Sequence, residues 1–278
     1  MGELLTLEAV TVRFGDLTVL DDVHMSVDRG GLVGLIGSNG SGKSSLLNVV
    51  SGYYQPAEGR ARIGGVDTSS LTPDEVARLG VGRSFQNIGS LRELRVGEYV
   101  MLGLEARWPV RRLQAILGLP GSRRAEREAR ETVRDWTSRA GIDRYHDTPL
   151  KHCPYGVRKI ADIVRAVIAA PRLLLLDEPT SGVAASDREM IADLIRSIGA
   201  GEDRAVVVVD HDVEFVAGLA ESLVALAAGR VIADGPTKEV LDDPAVIETF
   251  LGRAGRDGEA GAEQAAGVDR GKGSRECR

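Results

Sequence analysis

The chain has 278 residues, 43% of them hydrophobic and 27% charged, with a formal net charge of −6. That length buries a sizeable core as one lobed domain or two small ones, and the acidic total lacks the basic footprint of a nucleic-acid binder. Its two cysteines, Cys153 and Cys277, are far apart and match no metal-ligand spacing, which argues against a disulfide framework and for a reducing compartment.

The N-terminal stretch MGELLTLEAVTVRFG meets an acidic residue at once and has no apolar signal core, so it does not read as a secretory leader. No apolar run approaches the roughly 18 residues that a spanning helix needs. Work at a membrane would therefore require spanning helices from another chain. Residues 3–30 hold short alternating apolar stretches separated by turn residues, the pattern of antiparallel strands. GGLVGLIG, residues 30–37, is a continuous apolar run between glycines and predicts a strand buried on both faces. A helical pattern runs from Lys43 through Leu46, Leu47, Val49 and Val50 to Gly52, and GRARIGG (59–65) predicts one more strand.

Residues 70–170 change character. TPDEVARLG reads as a short helix with Pro73 near its start. Residues 122–141 place Ala125, Ala129, Val133, Trp136 and Ala140 on one helical face, with Glu126 four before Arg130 on the polar side. Strands return at 172–177, 205–210, 222–229 and 230–235, and a helical segment at 186–198 separates the first two. Strands alternating with helices imply a parallel sheet covered on both faces. From about Gly255 the chain is rich in Gly, Ala and charge, so 255–278 is expected to be a disordered tail.

Three stretches carry chemistry. GSNGSGKSS fits G-x-x-x-x-G-K-[ST], between a predicted buried strand and a predicted helix. Its residues Gly37, Ser38, Asn39, Gly40, Ser41, Gly42, Lys43, Ser44 and Ser45 are candidate phosphate-binding residues. Glycines let successive backbone N–H groups turn inward toward anionic oxygens, and the helix N-terminus adds its positive dipole end. In that arrangement Lys43 reaches the β- and γ-phosphates and the Ser44 hydroxyl ligates magnesium. LLLLDEP (173–179) ends an apolar strand with two carboxylates: Asp177 suits the magnesium, and Glu178 is placed to orient or deprotonate an attacking water. VVVVDHD (206–212) puts His211 at the mouth of another strand, a candidate γ-phosphate sensor. A lone His or an acidic strand end is common in purely structural roles; the phosphate loop is what favours the chemical reading.

These elements, in this order, resemble the ATP-binding subunits of ABC transporters over about residues 4–253. The resemblance implies an α/β P-loop NTPase fold with a mostly parallel core sheet, an N-terminal antiparallel β subdomain and an inserted helical subdomain at about 87–170, all within 1–254. It makes Phe14 the aromatic that stacks on adenine. It makes SFQN the Q-loop, whose Gln86 is expected to ligate magnesium, sense the γ-phosphate and face the membrane partner. It adds Tyr155 and Gly156 as nucleotide-binding residues of the signature. The implied ligands are ATP and Mg2+. The implied place is the cytoplasmic face of the inner membrane, as a peripheral subunit, with permease subunits, a second and different ATPase subunit and, indirectly, a substrate-binding protein as partners. GRSFQNIGSLRELRVGEYVMLGL, the Arg-rich insert, Tyr155 and the ending GPTKEVLDDPAVIETFLG look like the branched-chain amino acid and urea importers. The expected activity is ATP hydrolysis powering uptake of such a solute. An ATP-binding regulatory subunit with little turnover and an exporter ATPase are the alternatives. A soluble relative acting on nucleic acid or ribosomes is disfavoured by the single cassette and the lack of sustained heptads.

The departures from the family pattern sharpen the expectation. Its signature begins Leu-Ser and continues Gly/Tyr-Gly-Gln, whereas this chain has Cys153, Pro154, Tyr155, Gly156 and Val157. Pro154 offers neither hydroxyl nor N–H, and Val157 replaces an amide. At ~1.5–3 kcal/mol for each hydrogen bond to a charged group, losing one or two weakens γ-phosphate recognition by about tenfold to a few hundredfold. Ala184 stands where the family usually has Asp or Asn, and Asp187 comes three positions later. Because such sites pair one subunit's phosphate loop with the other's signature, the expected casualty is the site across the interface. A homodimer would then have two poor sites, whereas a heterodimer with an intact signature on the partner keeps one; the heterodimer with asymmetric sites is the expectation.

Overall fold

The computed structural model describes residues 2–85, 89–105, 120–199, 201 and 203–249. The first strands form as the alternation predicts. β1 (Glu3–Phe14) and β2 (Leu17–Asp28) make an antiparallel hairpin, joined by β4 (Glu58–Ile63) and β5 (Val66–Asp67) in a sheet of order β2-β1-β4-β5. A second sheet has the order β10-β9-β3-β8-β7-β6. Its strands are β3 (Leu32–Gly37), β6 (Val81–Arg83), β7 (Leu173–Asp177), β8 (Ala205–Val209), β9 (Ser222–Ala227) and β10 (Arg230–Pro236). Every pairing in it is parallel except the closing β9–β10 hairpin.

The central strands are apolar throughout because both faces of this sheet are covered. Leu173, Leu175, Val207 and Val209 pack toward the antiparallel sheet and helix α1 (Lys43–Val50). Leu174, Leu176, Val206 and Val208 face the opposite way, the two-residue alternation of a strand. There they meet α5 (Tyr155–Val167) through Ile160 and Val164, and α6 (Ala185–Gly199) through Ile191 and Ile195.

In sequence, α3 (Val96–Glu105) and α4 (Pro120–Arg139) lie with α5 between β6 and β7. Ala125, Ala129 and Val133 of α4 are buried on one face, Trp136 packs partly against the same core, and Arg130 pairs with Glu126 at 2.6 Å on the other. The short helix α2 (Pro73–Arg78) begins with a capping box between Thr72 and Glu75. Two short helices close the fold, α7 (Val213–Ala217) and α8 (Thr237–Leu241). The predicted fold class is the one observed. Strand β6 and helix α3 went unread in the sequence, and the tail expected from 255 lies outside the described residues. Among the described residues, no helix is long and apolar enough to cross a membrane.

Candidate nucleotide site

Register brings the chemistry to one edge of the parallel sheet. Val209, at the end of β8, pairs with Leu35 of β3 and with Asp177 at the end of β7. The loop after β3, the acidic pair after β7 and His211 after β8 therefore emerge together, on the side where open parallel sheets bind ligands. The loop turns through Gly42 at φ +107°, where an added Cβ would lie 2.7 Å from Leu20 Cδ2. Helix α1 starts at the next residue, so its free N–H groups and positive dipole end face the loop.

Lys43 is buried, and its ammonium donates to the carbonyls of Gly37 at 2.7 Å and Ser38 at 3.0 Å. Desolvation lowers its pKa, against the charges of Glu178, Asp177 and Asp210, which raise it. Asn39, Gly40, Ser41, Gly42, Lys43, Ser44 and Ser45 line a cavity of about 190 Å³ together with Val19 and Glu178. Gly37 and Ser38 are not in that lining; their carbonyls hold the lysine. The structure thus brings the catalytic candidate Glu178 to the phosphate loop.

Asp177 is buried and held from two sides. Its N–H donates to Ser84 Oγ at 2.9 Å, and Arg83 donates to its Oδ2 at 3.0 Å. Arg83 also reaches Asn48 and Ser51 at 2.7 Å each. Desolvation raises the Asp177 carboxyl, partly offset by Arg83. Its other oxygen, Oδ1, is buried without a hydrogen-bond partner. Asp210 is fully buried and bridges two loops: Thr180 donates to it from its N–H at 3.1 Å and its hydroxyl at 2.7 Å, and His211 Nδ1 lies 3.2 Å away. The His211 ring is half-exposed and keeps this nitrogen beside Asp210. Sequence reasoning missed Arg83, Val19 and Asp210, although DHD had been singled out for its histidine.

The remaining candidates lie elsewhere. Phe14 is exposed at the end of β1 and meets Tyr54 edge-to-face at 5.1 Å; it does not line the cavity. Gln86 lies outside the described residues, but its neighbour is anchored. Phe85 N–H donates at 2.6 Å to Asp162, which also accepts from Tyr99 at 2.6 Å and Arg165 at 2.8 Å. Tyr155 and Gly156 open α5, away from the cavity, with Pro154 as an N-cap that gives no side-chain hydrogen bond. Val157 packs partly against the core, and burial pushes the Cys153 thiol up.

Two sheets, a phosphate loop between β3 and α1, and carboxylates at a neighbouring strand end define an α/β P-loop nucleotide-binding protein. Known proteins narrow the class. The ABC transporter family model matches residues 20–181. The high-affinity branched-chain amino acid transport ATP-binding protein BraF of Pseudomonas aeruginosa is 30% identical over 251 residues, 90% of this chain and 98% of that protein. A nucleotide-free ATP-binding cassette from an ABC transporter superposes with a TM-score of 0.78 at 27% identity, over 90% of this chain and 99% of the other. A dimeric post-hydrolysis cassette bound to ADP and Pi gives 0.71 at 25% identity, over 84% and 98%. The chain belongs to the ABC transporter family and is one of its ATP-hydrolysing cassettes.

Proposed function

We propose that this chain powers an importer of branched-chain amino acids, urea or a similar small polar solute, from the cytoplasmic face of the membrane, through a separate permease. The observation that carries the hydrolytic part is the shared cavity of the 39–45 loop and Glu178. In this reading the loop amides and Lys43 hold the β- and γ-phosphates, Glu178 takes a proton from the attacking water, and His211 contacts the γ-phosphate through Nε2. Water adds to the γ-phosphorus, the bond to the β-phosphate oxygen breaks, and ADP and inorganic phosphate leave. Phe14 carries the adenine, and 1–254 forms one cassette.

Magnesium fits the residues present. Asp177 Oδ1 is a buried acceptor without a partner, and Ser44 offers a hydroxyl on the cavity wall. Magnesium takes few protein oxygens beside phosphate and water, so no acidic cage is required. Asp177, Ser44 and Gln86 would hold it, and it would neutralise charge on the phosphates.

The importer part draws on the names of relatives such as BraF. It also draws on a groove of about 780 Å³ lined by Tyr53, Leu79, Arg83, Phe85, Leu102 and Arg165. The groove runs past Phe85, one residue before Gln86, and suits the permease. The second ATPase subunit is a different chain, because Pro154 and Val157 leave the signature here short of donors. The test is Glu178→Gln in the copurified transporter: ATP stays bound while turnover falls by about a hundredfold or more. Turnover within a few-fold of the parent would contradict the assignment.

A further inference from the structure

The helix that carries the signature touches the segment after β7 of its own chain, the loop and the first turn of α6, at three points. The Tyr155 ring lies over Gly182, where an added Cβ would stand 3.2 Å from Cε1. Gly156 leaves room for the Asp187 carboxylate, which an added Cβ would meet at 2.3 Å. One turn further along α5, Lys159 is buried and its ammonium donates to the Glu178 carbonyl at 2.8 Å. The Tyr155 ring lies 5.8 Å from the same ammonium.

The Lys159 ammonium also feels the Asp177 carboxylate and the Tyr155 ring, but the hydrogen bond it makes goes to the Glu178 carbonyl, which the Ser181 N–H meets more loosely at 3.3 Å. Glu178 is itself a constrained residue. Its φ is +47°, in the left-handed region that residues other than glycine enter at a cost. Its N–H donates to the Val209 carbonyl at 2.7 Å. Val209 thus holds one end of the residue, and Lys159 at 2.8 Å, with the Ser181 N–H at 3.3 Å, holds the other. Together they set the direction in which the Glu178 side chain leaves the backbone.

We propose that Lys159 is a positioning residue for Glu178 that ties the signature helix to the catalytic carboxylate of the same chain. This rests on the reading of Glu178 as the hydrolytic base. It gives the two nucleotide sites a mechanical link. The start of α5 faces the ATP held by the partner subunit, whereas Lys159 acts on the ATP held by this chain. When α5 shifts on contact with the partner's nucleotide, the pull reaches Glu178 through one hydrogen bond.

The experiment compares Lys159→Met, Lys159→Arg and Glu178→Gln in the full chain, copurified with its permease and partner ATPase. Methionine keeps the length and apolar stem of the side chain and removes the donor. The expected result is a fall in kcat of about ten- to a hundredfold in K159M. KM for ATP stays within about twofold. K159R, which restores a donor, regains at least half of the turnover. An unchanged kcat in K159M beside a silent E178Q would overturn the proposal alone. A rise in KM that matches the fall in kcat, or no rescue by arginine, would also overturn it, because a loss of packing predicts both. Full turnover in E178Q would overturn the reading of Glu178, and this proposal with it.

Discussion

Arg83 decides which oxygen of Asp177 stays open. By donating to Oδ2 it occupies one carboxylate oxygen and leaves Oδ1 as the buried acceptor. Burial nevertheless raises the carboxyl above its ordinary value of 3.8. A raised carboxyl favours its protonated form in the fold. Its contribution to stability is therefore full below the unfolded value and is lost as pH rises through the raised one. At neutral pH the ionised group costs stability, an arrangement common where a site is built for a ligand. Asp177→Asn accordingly raises the melting temperature of the chain without nucleotide at neutral pH, and abolishes the tightening of ATP binding by magnesium. A lower melting temperature, or an intact magnesium effect, would contradict this. Asp177 was legible in the sequence because it ends an apolar run. Arg83 was not, since it lies 94 residues earlier and meets Asp177 only across the β6–β7 pairing. Lys159 stayed hidden for a related reason: in sequence it is one more cation on a helix, and only the packing of α5 turns it toward Glu178.

At the scale of elements, long apolar strands announced themselves and short ones did not. LVGLIG, LLLLD and AVVVV are buried at every residue, so their two-sided cover was written in composition. Strand β6 is three half-buried residues at a sheet edge, too short to show a period. The signature turn is where sequence and structure add to one another. Pro154 as N-cap leaves the end of α5 intact while supplying no donor, as its chemistry predicts. Val157, expected only as a lost amide, also packs against the core. Pro154→Ser with Val157→Gln is therefore expected to raise turnover of the complex several-fold or more, while the glutamine costs about 1 kcal/mol of stability. Steady-state ATPase rates and chemical denaturation of the double variant measure the two effects. An unchanged rate would mean that the backbone amides and Gly156 suffice for the partner's nucleotide.

For the whole molecule, the geometry separates what one chain can do from what two must share. The phosphate loop, Asp177, Glu178 and His211 gather at one edge of a single sheet, while the start of α5 lies away from their cavity. A related cassette is dimeric with ADP and Pi bound. Under the proposed two-subunit arrangement, Pro154 and Val157 bear on the other subunit's nucleotide. In the proposed reading, the phosphate loop, Asp177, Glu178 and His211 of this chain serve its own nucleotide and need a signature from the other subunit. ATPase activity of the purified full chain, measured alone and in complex with its permease and partner ATPase, decides whether the chain depends on a signature from another subunit. Slow turnover by the lone chain and robust turnover by the complex are expected, the latter lost when Glu178→Gln is placed in this chain. Robust turnover by the lone chain, abolished by the same substitution, would contradict that dependence.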